Sequence, residues 1–304
     1  MRQNKDVPAP RRLFVFGLGY SALVLARRLK AKGWRLAGTC RGDERRAALA
    51  AEGIAAFLFD GTQPLPDAAA ALAGTTHLLQ SVPPGRDGDP VLRHHASDLA
   101  ALKGLRWVGY LSTTGVYGDR GGDWVDEKAG LHPSGPRGQA RVKAERGWLD
   151  LGRFGLAVHV FRLAGIYGPG RSALDTVREG RARRVVKPGQ VFSRIHVEDI
   201  AGVLEASIGR PNPGAVYNVC DDDAAPPQDV ITYACALLGV AAPPEIPYAE
   251  AAPSMSAMAR SFYADSKRVA NHRIKTELGV RLAYPDYRVG LKALLAADRV
   301  RREP

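Results

Sequence analysis

Short apolar runs alternate along this chain with stretches whose apolar residues return every three or four positions. The first run, Leu13-Phe14-Val15-Phe16, predicts a buried strand. It ends at Gly17-Leu18-Gly19; Ala22, Leu25, Ala26 and Leu29 then recur at helical spacing, so a helix is expected over 21–30, ended by Gly33. The same reading gives strands over 34–39, 55–59, 77–82, 107–111, 156–163, 194–197 and 215–219. Between them it gives helices over 44–51, 66–73, 91–102, 139–151, 172–179, 198–208 and 228–238, then two last ones over 266–278 and 287–299. Residues 119–135 read as polar loop, and the Ala/Ser/Pro-rich stretch 248–258 as mobile. This alternation predicts an α/β fold with a doubly wound parallel sheet of the Rossmann type.

Composition narrows the choice of function. With 304 residues, 45% of them hydrophobic, the chain can bury a full core. No apolar run approaches the roughly 18 residues needed to cross a membrane, and the polar, basic start does not read as a signal peptide. Cys40, Cys220 and Cys235 have no metal-ligand spacing, and their odd number argues against a disulfide framework, so a cytoplasmic protein without a metal site is expected. The net charge of +12 admits an acidic partner. However, the arginines are spread along the chain, with no basic tail and no basic-aromatic recognition motif, so no nucleic-acid or membrane partner is expected. Part of this charge can serve an anionic cofactor or substrate. His94 and His95 lack metal partners and read as surface or core histidines.

The candidate chemistry sits where strands end. Gly17-Leu18-Gly19-Tyr20-Ser21-Ala22 has the G-x-G-x-x-A pattern of a dinucleotide turn. Gly17 permits the turn, Gly19 lets a pyrophosphate approach the backbone, and Ala22 takes the close-packing position. The helix that follows offers unpaired N–H groups and a positive dipole end. The second strand ends in Thr39-Cys40-Arg41, where an NAD site usually carries an acid; Arg41, supported by Arg45 or Arg46, suits a 2′-phosphate and favours NADP over NAD. Asp60 can accept from an adenine amino group, and Ser81, Val82 and Pro83 should lie over the cofactor. The expected cofactor contacts are therefore Gly17, Gly19, Tyr20, Ser21, Ala22, Arg41, Asp60, Ser81, Val82, Pro83 and Ala164. The fifth strand delivers hydroxyl groups at Ser112-Thr113-Thr114, at the strand end where open α/β sheets bind ligands.

These stretches, with Leu111 to Gly118, Arg162 to Arg171, Ile195 to Ala201 and Val216 to Val219, resemble an extended short-chain dehydrogenase/reductase of the NAD-dependent epimerase/dehydratase superfamily. The resemblance implies a disordered leader over 1–10, an NAD(P)-binding Rossmann domain over 11–165, and a smaller substrate lobe over 166–304 from which 195–220 returns to the first domain. Active members use a Ser or Thr, a Tyr and a Lys. Thr113 falls on the first position. With Glu145 as anchor, the Tyr-x-x-x-Lys positions hold Arg137 and Arg141. The chain thus resembles an atypical subgroup that lacks this pair, as do its 267–271 and 284–288 stretches. An Arg cannot shuttle a proton at neutral pH, but it can hold a ribose or an anion. Lys143 is two positions off, about 200° round a helix, and should face solvent.

Thr113, Tyr117 and Arg141 are the candidate catalytic residues. His196 is expected to anchor its loop, and Asp199 to serve its helix start. The implied function is an NADP-dependent oxidoreductase, or an epimerase/dehydratase-like enzyme, on a small polar or sugar-like substrate that Arg137, Arg141, Arg171 and Arg194 would favour as an anion. The competing reading is a non-catalytic NADP(H)-binding sensor or scaffold. Relatives often dimerise through helices corresponding to 91–102 and 139–151, so the resemblance leaves a homodimer open.

Overall fold

The computed structural model describes residues 11–302; the expected leader over 1–10 lies outside them. In chain order the strands are β1 (Arg12–Phe16), β2 (Arg35–Cys40), β3 (Ala55–Leu58), β4 (His77–Gln80), β5 (Trp107–Thr113), β6 (Trp124–Val125) and β7 (Val158–Leu163). There follow β8 (Gly165–Tyr167), β9 (Arg184–Val186), β10 (Arg194–His196), β11 (Val216–Val219), β12 (Glu245–Pro247) and β13 (Arg268–Val269). Seven of them form one sheet in the order β11-β7-β5-β4-β1-β2-β3. Every neighbouring pair is parallel. The order reverses at β1, so a crevice opens between the carboxyl ends of β1 and β4, the place where such sheets bind ligands.

β1 shows how the sequence produces this sheet. Leu13 and Val15 face one apolar layer, Phe14 and Phe16 the other, and all four are fully buried. A parallel strand covered on both faces carries an unbroken apolar run. Leu25 and Ala26 of helix Tyr20–Ala31 and Ile200 and Leu204 of helix Val197–Gly209 belong to the first layer. Val91 and Leu99 of helix Pro90–Ala100 and Ala144 and Trp148 of helix Pro136–Asp150 belong to the second. Asp89 ties that layer together. Its carboxylate caps helix Pro90–Ala100 by accepting from Val91 N and Leu92 N, and it accepts from the Trp148 indole at 3.0 Å.

A third core holds Tyr167, Leu174, Ala234, Tyr287 and Leu291. It joins helices Ala173–Arg178, Pro227–Leu238 and Tyr287–Arg302. Among the described residues no helix is long and apolar enough to cross a membrane.

The structure departs from the expected elements in places. The helix expected over 266–278 is reduced to His272–Thr276, because β13 pairs with β6 instead. Ser266 N donates to Asp119, Arg268 N to Asp123 O and Ala270 N to Val125 O, so distant backbone partners override local helix propensity. The stretch 248–258, expected to be mobile, contains helix Tyr248–Ala251 and leads into helix Ala257–Ala264. Ser256 caps the latter by accepting from Ala259 N.

Candidate functional site

The crevice holds a cavity of about 1000 Å³ over the carboxyl ends of β1, β2 and β4. Its floor is backbone. Gly17 takes a φ of +84°, and a Cβ there would stand 3.0 Å from Val82 Cγ2, so both conformation and space require glycine. Gly17 N donates to Thr39 Oγ1 at 2.8 Å and Leu18 N to Thr39 O at 2.9 Å, which pins the turn to β2. A Cβ on Gly19 would meet nothing nearer than Gly17 O at 4.0 Å; that face opens into the cavity. Helix Tyr20–Ala31 begins there without a side-chain cap. Its first N–H groups are left for an anion.

At the far end, Arg41 and Arg45 line the cavity, while Arg46 is paired with Asp43 at 2.5 Å. Asp60 lies on the same wall. Its Oδ1 accepts from Thr62 N and Thr62 Oγ1, and these bonds hold its carboxyl below the usual carboxylate range. This wall therefore brings Arg41 and Arg45 beside an ionised Asp60. The sequence reading missed Arg93 and His94 here, which line the same wall from helix Pro90–Ala100. Their one sequence signal was a position just past the Pro-rich turn after β4.

A second cavity of about 670 Å³ adjoins the first, and Ser81 lines both. Thr113 closes β5 at its edge. Its Oγ1 accepts from Gly115 N at 3.1 Å and caps the turn Thr114–Tyr117, which leaves its O–H to donate. Arg141 reaches the cavity from helix Pro136–Asp150. It donates to Leu111 O at 2.7 Å and to the Tyr110 hydroxyl at 3.1 Å, and forms no salt bridge among the described residues. Ser21, Ala164, Arg171, Arg194 and Lys267 share this lining. Lys267 is paired with Asp265 at 3.3 Å.

Of the expected cofactor and catalytic residues three line neither cavity, and nor does Arg137, one of the four arginines expected to favour an anion. Tyr20 turns away, its hydroxyl donating to Pro169 O and its ring under the Arg171 guanidinium. Ala22 is fully buried in the first core, where it packs rather than touches a ligand. Tyr117 is the larger correction. It is fully buried, donates to Asn218 Oδ1 at 2.7 Å and accepts from Arg162 Nη1 at 2.9 Å. Burial pushes its phenol up to about 12. Both hydroxyl functions are used inside the protein, and Tyr117 itself faces neither cavity. Lys143 is exposed.

The Tyr117 hydroxyl belongs to a buried polar network beneath Thr113. Arg162 pairs with Glu145 at 2.8 Å, and Glu145 accepts from Ser112 Oγ at 2.5 Å. Glu145 thus anchors the strand end that carries Thr113. His196 caps helix Val197–Gly209 by accepting from Glu198 N, and burial pushes its imidazole down to about 4, so it is a neutral acceptor. Asp199 stands in the first turn of that helix, where an acid suits the positive end, but it does not cap it. It accepts from Ala283 N at 2.8 Å and Tyr284 N at 2.9 Å, and so binds the approach to the last helix.

A seven-stranded parallel sheet with a glycine turn at its switch point defines a dinucleotide-binding Rossmann protein. The chain belongs to the NAD-dependent epimerase/dehydratase superfamily, and within it to the family of a conserved Silicibacter pomeroyi protein of unknown function. That structure is 53% identical, with a TM-score of 0.87 over 94% of this chain and 99% of its own. A candidate NAD-dependent epimerase/dehydratase from Methylobacillus flagellatus is 26% identical, with a TM-score of 0.70 over 96% of this chain and 99% of that one. Protein YeeZ of Escherichia coli is 28% identical over 287 residues, 91% of this chain and 97% of its own length. A Bacillus anthracis dTDP-glucose 4,6-dehydratase in complex with NAD, 15% identical with a TM-score of 0.76, shares the fold alone. No protein-family profile matches the chain.

Proposed function

We propose that the chain is an NADP(H)-dependent oxidoreductase acting on a small organic anion. The observation that carries this reading is the junction at Ser81. There a cavity with a glycine phosphate cradle meets a second one lined by Thr113 and Arg141. NAD in the Bacillus anthracis neighbour supports a nicotinamide dinucleotide in the first. Arg41 and Arg45, neither tied in a salt bridge among the described residues, support the phosphorylated form. NADPH, when bound, supplies a hydride.

Within the second cavity, the Thr113 O–H orients an acceptor oxygen. Arg141 and Arg194 offer an anion charge-assisted hydrogen bonds. With Tyr117 sequestered, the proton comes from water or from the substrate. Cys40, Cys220 and Cys235 are all free and buried, which suits the reducing cytoplasm we propose.

One observation favours a second reading, a non-catalytic NADP(H) sensor or scaffold. Arg141 stands where the resemblance puts a catalytic lysine, and it is spent in part on Tyr110 and Leu111. The test begins with calorimetric titration of NADPH and NADH into wild type and Arg41→Ala. Loss of the Arg41 contact should cost about 1.5–3 kcal/mol for NADPH and nothing for NADH; equal affinities in wild type would refute the NADP preference. NADPH oxidation is then followed against sugar-like and keto-acid substrates, with Thr113→Ala and Arg141→Ala alongside. Turnover that falls in both variants supports the enzyme. Silence across the panel despite tight NADPH binding supports the sensor.

A further inference from the structure

We propose that the second cavity selects an organic anion with a flat aromatic body, its charge held by Arg194 and its ring under helix Ala257–Ala264. This rests on the oxidoreductase reading and names its substrate class.

Phe262 sets the argument going. It lines the cavity and yet remains 60% exposed. A large aromatic side chain left so exposed in a cavity lining is an apolar surface open to a ligand. Three hydrogen bonds tether the helix that carries it. Ser256 caps it, Arg260 donates to Met255 O at 2.6 Å, and Lys187 donates to Tyr263 O. Next to Phe262, Tyr263 lines the same space. It meets Phe192 edge-on, ring centres 5.5 Å apart, and stacks on Tyr248 at 5.2 Å. Phe192 in turn lies 6.0 Å from the Arg194 guanidinium. Aromatic surface therefore runs from the mouth inward and ends on a cation.

Arg194 is equipped to end it. Its Nη1 donates to Phe192 O at 2.8 Å and Ala225 O at 3.1 Å, which fixes the side chain. Its Nε and Nη2 groups find no hydrogen-bond partner among the described residues, and no carboxylate stands in salt-bridge contact with it. Asp221 gives its N–H to Arg194 O, and its carboxyl, which burial pushes up to about 8, acts on the guanidinium with that of Asp223 only through space, without a salt bridge among the described residues. Lys267, by contrast, is already offset by Asp265. A half-desolvated guanidinium with open donors binds a carboxylate far better than one in bulk water. Ring and charge are thus recognised by adjoining parts of one wall.

The test uses the full chain in three steps. NADPH binding is first measured by fluorescence; its failure would refute the cofactor reading and leave the anion site to be judged by the next step alone. Phenylpyruvate, pyruvate and UDP are then titrated by calorimetry. Phenylpyruvate should bind about tenfold tighter than pyruvate, the worth of one good aromatic contact. In the last step Phe262→Ala, an exposed position that the fold does not need, should abolish that preference and leave pyruvate unchanged. Arg194→Gln should weaken both acids by about tenfold or more and leave NADPH affinity intact. Equal binding of the two acids, a preference that survives Phe262→Ala, no binding of any probe, or UDP binding more tightly than phenylpyruvate would each overturn the proposal.

Discussion

The two adjoining cavities are made of different material. The first is shaped by backbone: a turn at Gly17, a bare face at Gly19 and the opening N–H groups of one helix, all within a few residues. The second is shaped by side chains from segments far apart in the chain, among them Thr113, Arg141, Arg194 and Phe262. A backbone site can be spoiled in essence only by adding atoms to it. A side-chain site depends on everything that aims those side chains. Variants should therefore fail in different ways at the two.

The largest effect at a fixed pH is expected beneath the second cavity. Glu145→Ala leaves the Arg162 guanidinium buried and unpaired, which should cost about 3–5 kcal/mol of unfolding free energy in urea. A loss under about 1 kcal/mol would show that the network does not anchor β5. Gly19→Val comes next and should do the reverse. Its thermal transition without ligand should match wild type. With NADPH at a hundred times its dissociation constant, the variant should lack the roughly 2.7 kcal/mol of stabilisation that wild type gains. A full shift in the variant would move the phosphate site away from the glycine turn.

A third prediction concerns Asp221, below Arg194. An Asp in the unfolded chain ionises near its ordinary value of about 3.9, whereas burial holds Asp221 to about 8 in the fold. Between those values the folded chain binds more protons than the unfolded one. Stability should then fall as pH rises from about 4 to 8, by at most about 1.4 kcal/mol per pH unit, and level off above. Asp221→Asn should flatten that slope in chemical denaturation at several pH values; an unchanged slope would assign it to another group. The smallest effect is expected from Tyr117→Phe, which removes the hydrogen bonds to Asn218 and Arg162. It should cost about 1–2 kcal/mol of stability and leave NADPH oxidation unaltered. A large loss of turnover would return Tyr117 to the chemistry.

The same contrast decides what could be read from the chain alone. Gly17, Gly19 and Arg41 were legible because the turn and the strand end that place them are local. Thr113 was legible for the same reason, at the end of β5. Tyr117 was not, since the partner that silences its hydroxyl, Asn218, lies 101 positions away. Nor was the extended course of 266–270, which is set by pairing with β6 rather than by its own residues. Helix Ala257–Ala264 carried a legible cap in Ser256, but the Ala/Ser/Pro composition before it pointed to mobility. Phe262 was lost with that helix.

The chain does not divide once between its two halves. It leaves the sheet after Leu163, returns in helix Val197–Gly209 and β11, leaves again after Val219, returns to the first core at Ile274 and Leu278, and finishes in the third core. Such stitching gives the second half no single hinge on which to swing away from the first. Helix Ala257–Ala264 is outside the stitching, for none of its residues is buried. Breathing at the mouth of the second cavity is therefore confined to that one strap, whose amides should exchange with solvent long before those of the sheet it overhangs.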